Sequence, residues 1–309
     1  MRKTAFLLIL LGVASSAFAV TTYNTAWRGP AYSGTNTQDW FTATNWQYGV
    51  PTIASDYATS GKYGVTTYYG TGSTNYDSSL TTCPIIANGD ARAVEIRIGG
   101  QAVTVSGYST AYLEMDSGTL KTMNWLSMGC NTGAGDRAGI FYMHGGNITL
   151  GGATVDGLDN GSRTNGHLYV GNGSTAGGWG KFYMDGGFID VGASFIIAGG
   201  LNDGDAFLSG NAVISANNMQ MRPNGANTNI PSLDISGSAK VIVNGDITGS
   251  VRTWVQSNWI TADSGDSTVN YQYYTTGQYA GKTVISNVPE PASICLLGLG
   301  ALSLIRRKK

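Results

Sequence analysis

A short phrase recurs along the middle of this chain. Phe141-Tyr142-Met143-His144-Gly145-Gly146 is followed by Ile148, and Phe182-Tyr183-Met184-Asp185-Gly186-Gly187 by Ile189. An earlier copy reads Tyr112-Leu113-Glu114-Met115-Asp116-Ser117-Gly118, followed by Leu120. Phe207-Leu208-Ser209-Gly210 and Leu233-Asp234-Ile235-Ser236-Gly237 are weaker copies. With Met115, Met143, Met184, Leu208 and Ile235 as anchors, the intervals are 28, 41, 24 and 27 residues. A period of this length marks a repeat architecture, in which no unit buries its apolar face alone.

Each copy alternates apolar and polar residues, turns on glycine, and begins a second short apolar stretch. Alternation with period two is the pattern of a strand with one buried face. Glycine after the strand admits the positive φ of a tight corner. Several copies close on an apolar-glycine step: Leu126-Ser127-Met128-Gly129, Leu168-Tyr169-Val170-Gly171 and Phe195-Ile196-Ile197-Ala198-Gly199. The expected fold is therefore all-β, a right-handed parallel β-helix (a β-solenoid) with coils stacked about 4.8 Å apart. A β-sandwich is the alternative, since its strands also alternate. The recurring phrase favours the solenoid because it puts equivalent residues in register.

The expected organisation has five parts. Residues 1–19 form a signal segment, helical in its apolar core. Residues 20–90 hold an aromatic cap with Trp27, Trp40, Phe41, Trp46 and Tyr48, and the first strands. Residues 91–250 hold the glycine-rich repeats. Residues 251–287, with Trp254, Trp259, Tyr271, Tyr273, Tyr274 and Tyr279, lose the repeat and are expected to close the far end as a β cap. Residues 288–309 form a membrane tail, ending in a transmembrane helix and basic residues. The aromatic cluster admits two readings, a sugar-stacking platform or the cap that an open solenoid end needs, and the cap is preferred.

Composition agrees with this class. Charged residues make up 12% of the chain, about half the usual share, and 45 of its 309 residues are glycine. Six of the 18 basic residues lie at the two termini, leaving 12 basic against 18 acidic residues in 20–288. An acidic body excludes nucleic acid as a partner, because phosphate binding needs a basic surface.

Both ends carry targeting features. Arg2 and Lys3 precede a short apolar core at 6–13, and Ala17 and Ala19 supply the small residues a signal peptidase accepts, with cleavage before Val20. At the other end, Pro289-Glu290-Pro291 precedes an apolar run at 292–305 and a basic stop at Arg306, Arg307, Lys308 and Lys309. Fourteen helical residues span about 21 Å, short of a bilayer core of about 30 Å. Snorkelling basic side chains and local thinning make up such a difference. The terminal charges belong in the cytoplasm by the positive-inside rule, which places the body outside the inner membrane.

The triplet, the Leu/Gly/Ala-rich run and the arginine cluster resemble, in that order, the PEP-CTERM sorting signal. The resemblance implies recognition of Pro289, Glu290 and Pro291 by an exosortase, a membrane-embedded protease. It also implies delivery to the cell surface or outside, after transient anchoring in the inner membrane and often in company with exopolysaccharide. Upstream, Trp40, Asn45, Trp46, Gly49, Pro51 and Asp56 resemble an opening pattern of autotransporter-like and PEP-CTERM β-helix proteins, which implies a pectin-lyase-like body.

No catalytic constellation is evident. Asp116, His144 and Asp185 share one repeat position, so on a solenoid they stack on one outer face, as an exposed polar ladder rather than a catalytic site. The sequences at 156–161 and 202–205 offer oxygens to calcium, but neither has the spaced frame of a calcium loop, and both read as polar turns. Cys83, Cys130 and Cys295 have no CxxC spacing and only two histidines exist, so neither a metal nor a cofactor is expected. Cys83 and Cys130 either pair or remain separate thiols. The methionines of the repeat are core filler. Sequons at Asn147, Asn160 and Asn172 carry little weight in a bacterial chain.

The expectation is an exported, exosortase-sorted protein of the envelope or extracellular matrix, not an enzyme, with a structural or polysaccharide-associated role. The alternatives are a carbohydrate-active β-helix enzyme, a polysaccharide lyase or hydrolase, and a carbohydrate-binding surface module.

Overall fold

The computed structural model describes residues 25–26, 38–45, 50, 65–67, 83–93, 95–99, 109–129, 137–151, 165–173, 177–221 and 231–288. Two short strands come first, β1 (Thr25–Ala26) and β2 (Val65–Thr67). Coils then follow one another. The first is β3 (Ile85–Ile86), β4 (Asp90–Ala93) and β5 (Ile96–Ile98); the second is β6 (Ser109–Met115), β7 (Thr119–Thr122) and β8 (Leu126–Met128). The third is β9 (Arg137–Met143), β10 (Asn147–Leu150) and β11 (Leu168–Val170). In the fourth, β12 (Trp179–Met184) leads into β13 (Phe188–Ile197), and in the fifth β14 (Asp203–Leu208) leads into β15 (Val213–Met221). These two long strands each turn a corner and so serve two sides of the coil. A last, partial coil is β16 (Ser232–Ile235) and β17 (Lys240–Asn244), with β18 (Ile260–Ala262) stacked beyond β16.

The ladders between coils are parallel. One side of the solenoid runs β3-β6-β9-β12-β14-β16-β18. A second sheet wraps the other two sides, one through β4, β7, β10 and the first half of β13, the other through β2, β5, β8, β11 and its second half. This is a parallel β-solenoid and not a sandwich.

The anchors of the repeat form one column. Met115 pairs with Met143, Met143 with Met184, Met184 with Leu208, and Leu208 with Ile235. The column extends to Ile86 below and Ala262 above, and every member is buried. Beside it runs Leu113, Phe141, Phe182, Ala206 and Leu233, with the rings of Phe141 and Phe182 stacked at 5.3 Å. Burial of such a side chain contributes about 1.5–3 kcal/mol, so the columns are the main source of stability.

Two glycine positions make the coil possible. The second glycine of each turn, Gly146 and Gly187, has φ of 84° and 86°, the left-handed corner anticipated from the phrase. A different column, Gly139, Gly180 and Gly204, lies in register on the first side. A Cβ on Gly180 would come within 2.3 Å of the Gly171 nitrogen, and one on Gly204 within 2.1 Å of the Val170 oxygen. There each coil begins by crossing close over the end of the third strand of the coil before it, and no side chain fits between.

Both ends are covered. At the N-terminal end Trp40 is fully buried, and its backbone N–H donates to the Ile85 carbonyl at 2.9 Å while the Ile85 backbone N–H donates to the Gln38 carbonyl at 2.9 Å. At the far end stands a helix, α1 (Thr248–Gln256), that the strand-only reading of this cap did not include. It places Val251 and Trp254 against the core. The Asp246 carboxylate accepts bonds from the Thr248 N–H at 3.0 Å and the Thr248 hydroxyl at 2.7 Å, which satisfies one of the backbone donors that the start of the helix leaves open. Strands β19 (Val269–Tyr274) and β20 (Lys282–Asn287) then form an antiparallel hairpin, and β20 also pairs antiparallel with β17.

Candidate functional site

The outward positions of the first side are as ordered as the inward ones. Tyr142, Tyr183 and Phe207 stand in register, their rings stacked at 5.1 and 4.8 Å with interplanar angles of 13° and 9°. Because each ring face lies against the next, this ladder stabilises the stack and offers mainly ring edges to solvent. In the second coil the same position holds Glu114, which pairs with Tyr142.

One step further along the chain lies the polar column expected from the repeat. The backbone N–H groups of Asp116, His144 and Asp185 donate to the carbonyls of Ile86, Met115 and Met143 at 2.9, 2.8 and 3.0 Å, so the ladder holds all three in register. Their side chains are exposed. His144 Nδ1 lies 2.9 Å from Asp185 Oδ2, and His144 Nε2 lies 3.7 Å from Glu114 Oε1. Ligand atoms of Glu114, Asp116 and His144 all fall within 4.8 Å of one another. On the far side of Glu114, the Cys83 thiol donates to Oε2 at 3.8 Å.

The charges set the protonation states. The hydrogen bond to Asp185 is the largest influence on His144 and raises its pKa; partial burial opposes it, and the charges of Asp185, Glu114 and Asp116 add to the rise. Burial pushes the Cys83 thiol up to about 12, with the Glu114 charge as the next cause. The thiol is thus a hydrogen-bond donor at neutral pH and a poor nucleophile. Cys83 is free; Cys130, considered as its disulfide partner, lies outside the described residues.

A second outward group sits on the third side. Trp125 and Tyr169 meet edge to face at 5.4 Å, and the Arg97 guanidinium lies 5.3 Å from the Trp125 ring centre.

The two calcium-type sequences fare differently. Residues 156–161 lie outside the described residues. The segment 202–205 is not a turn: Asp203 opens β14, and Gly204 faces inward in the tight glycine column. Asn202 is buried, donates through Nδ2 to Gly129 O at 2.7 Å and accepts from the Gly178 N–H at 3.1 Å. It therefore clamps coils together and has no free oxygen for an ion. Reasoning by repeat position found Asp116, His144 and Asp185 but missed Glu114 and Cys83, which depart from the repeat. The available signal was that Glu114 stands where the neighbouring copies carry tyrosine.

Ala17, Ala19, Pro289, Glu290, Pro291, Arg306, Arg307, Lys308 and Lys309 lie outside the described residues. No helix among the described residues is long and apolar enough to cross a membrane. The folded body ends where the tail begins. Asn287 closes β20 opposite Val269, its side-chain amide donates to Asp263 Oδ2 at 2.7 Å, and the Val288 N–H donates to Thr268 O at 3.0 Å.

Residues 287–309 match the PEP-CTERM protein-sorting motif. The chain carries that motif on a β-solenoid body, and the motif makes it an exported protein that an exosortase processes on the way to the cell surface. No curated protein and no solved structure matches the chain.

Proposed function

We propose that the solenoid acts without catalysis, as a structural element of the envelope or of the extracellular polysaccharide matrix to which sorting delivers it. The observation that carries this reading is that outward side chains of successive coils engage each other. Tyrosine and phenylalanine rings stack ring to ring, the Asn244 amide donates to Asn217 Oδ1 at 2.6 Å, and the Thr261 hydroxyl donates to Asp234 Oδ1 at 2.8 Å. Such a surface adds rigidity to each coil.

Signal peptidase at Ala17 and Ala19, the inner membrane at 292–309 and extracellular polysaccharide complete the proposed set of partners. The test is expression in a host with an exosortase and its polysaccharide locus, with Pro289, Glu290 and Pro291 intact or all changed to alanine. The wild-type chain is expected to lose its tail near or after Val288 and to leave the membrane. The variant is expected to keep its C-terminal mass and stay in the membrane fraction. Identical mass and partition for both would remove the triplet from the account.

A second reading, a carbohydrate-active enzyme, is favoured by one observation, the convergence of Glu114, Asp116, His144 and Asp185 on one flank. Incubation of the matrix polysaccharide with wild type and with His144→Ala separates the two. New reducing or unsaturated ends formed by wild type alone would establish the enzyme. Unchanged chain length leaves the structural role.

A further inference from the structure

We propose that the flank of the second and third coils is a binding site for one divalent transition-metal ion of the zinc class, held by His144 Nε2 and the carboxylates of Glu114 and Asp116. The inference is independent of how the tail is processed and of whether the body is structural.

The donor set and its orientation point this way. His144 presents Nε2 to Glu114 because its other nitrogen is engaged: Nδ1 lies at full hydrogen-bond distance, 2.9 Å, from Asp185 Oδ2. A metal-binding histidine typically has its remote nitrogen tied to a carboxylate, which fixes the tautomer and ring orientation and raises ligand basicity. Glu114 is steadied in the same way, with Oε2 accepting from the Cys83 thiol and Oε1 turned to the imidazole. The 3.7 Å between His144 Nε2 and Glu114 Oε1 is too long for a hydrogen bond. Two metal-ligand bonds of about 2.1 Å span that gap at an angle of about 120°. Asp116 is exposed, so its side chain is free to turn a carboxylate oxygen toward the same point, and one ligand atom from each of the three residues already lies within 4.8 Å of the others. Two carboxylates and a neutral imidazole leave the +2 charge balanced and one or more positions open to water. The imidazole discriminates against calcium, which takes six to eight oxygens.

Neither Glu114 nor Asp116 has CxxC- or HExxH-like spacing to His144, so sequence spacing gave no such site. The ligands come from two coils, 28 and 30 residues apart, and only the register Glu114–Tyr142 and Met115–Met143 brings them together.

The test uses the full-length chain, freed of metal by chelation and titrated with Co²⁺ while the visible d–d bands are followed. Wild type is expected to saturate at one ion per chain, with Zn²⁺ displacing the cobalt and a large excess of Ca²⁺ failing to do so. His144→Ala is expected to abolish the bands. Asp185→Asn, which touches no ion, is expected to weaken binding by about 10- to 100-fold. Asp266→Asn, on the exposed surface beyond the cap, should bind as wild type does. Thermal melts of the metal-free variants check folding, which these exposed positions should preserve. Unsaturable binding, displacement by Ca²⁺ as readily as by Zn²⁺, or unchanged affinity in His144→Ala would each overturn the assignment.

Discussion

Ala198 stands one coil beyond Gly171 and makes the same left-handed turn, with φ of 56° against 74°. The pairing of Ile197 with Val170 puts the two in equivalent positions, and Gly99 and Gly129 hold that position in the earlier coils at 71° and 65°. Sequence alone assigns this corner to Gly199, one residue late, because the apolar-glycine step reads as if it ended there. The structure gives the corner to an alanine whose Cβ disfavours it by about 1–2 kcal/mol. Ala198→Gly should therefore raise the unfolding free energy by up to roughly 1 kcal/mol after the entropy gained by the unfolded chain is set against it, read as a higher denaturant midpoint at unchanged slope. A lower midpoint would mean that the buried Cβ contributes more than the strain costs.

Gly180 poses the opposite case. A methyl group there would sit 2.3 Å from the Gly171 nitrogen and 2.6 Å from the Met128 oxygen, both backbone atoms that cannot turn aside. Gly180→Ala should cost more than about 3 kcal/mol and register in thermal unfolding. Gly249, exposed in α1 with nothing within 4 Å of a Cβ, is the control. Gly249→Ala should stabilise by up to about 1 kcal/mol through helix propensity.

Asn202 joins segments that are distant in sequence. Truncation to alanine leaves the Gly178 N–H and the Gly129 carbonyl without their side-chain partner. Each buried group left unsatisfied costs about 1–3 kcal/mol, so Asn202→Ala should lower stability by roughly 3 kcal/mol in equilibrium unfolding. Asn202→Asp should do no better at pH 7, because it sets a carboxylate oxygen against the Gly129 carbonyl.

Asp205 gives a pH signature. Burial is the main cause of its raised pKa, with Lys181 pulling it down and Asp203 pushing it up. The folded chain thus holds this proton more tightly than the unfolded chain. The cost to stability is absent well below the ordinary aspartate value of 3.8, grows as pH rises through the raised pKa, and is complete above it. Asp205→Asn should melt higher than wild type at pH 7, and the gap should narrow as the pH is brought down through the raised pKa and close only below the ordinary aspartate value. A gap independent of pH would show that Lys181 gains as much from the charge as burial takes away.

The interior was the legible part. Met115, Met143, Met184, Leu208 and Ile235, aligned by sequence phrase alone, are in contact as successive rungs of one column. A stack of identical coils has to place equivalent residues in register, and alternation fixes which face they take. What escaped were positions where the coil breaks its own rule. Gly204 lies inside without being apolar, so the start of the strand Asp203–Leu208, up to Asp205, read as a polar turn although Phe207 and Leu208 were recognised as a copy of the phrase. Glu114 replaces a tyrosine, and Cys83 precedes the first copy of the phrase. The flank they form depends on neighbours between coils, which periodicity places in a column without naming what each side chain will touch. In the far cap, Val251, Trp254 and Val255 have helical spacing, but a row of aromatics in a β-rich chain hid it.

The strand that leads into the sorting tail is the middle member of its group, with β17 on one side and β19 on the other. While the tail is held in the membrane, any drag on the surface-side body is transmitted along the axis of that strand. Both ladders then carry the load in shear, with their hydrogen bonds strained together, whereas a strand at an edge would have only one ladder to resist the same pull. The tether is thus attached at a mechanically strong point, where the load on one strand is shared between β17 of the last coil and β19 of the cap.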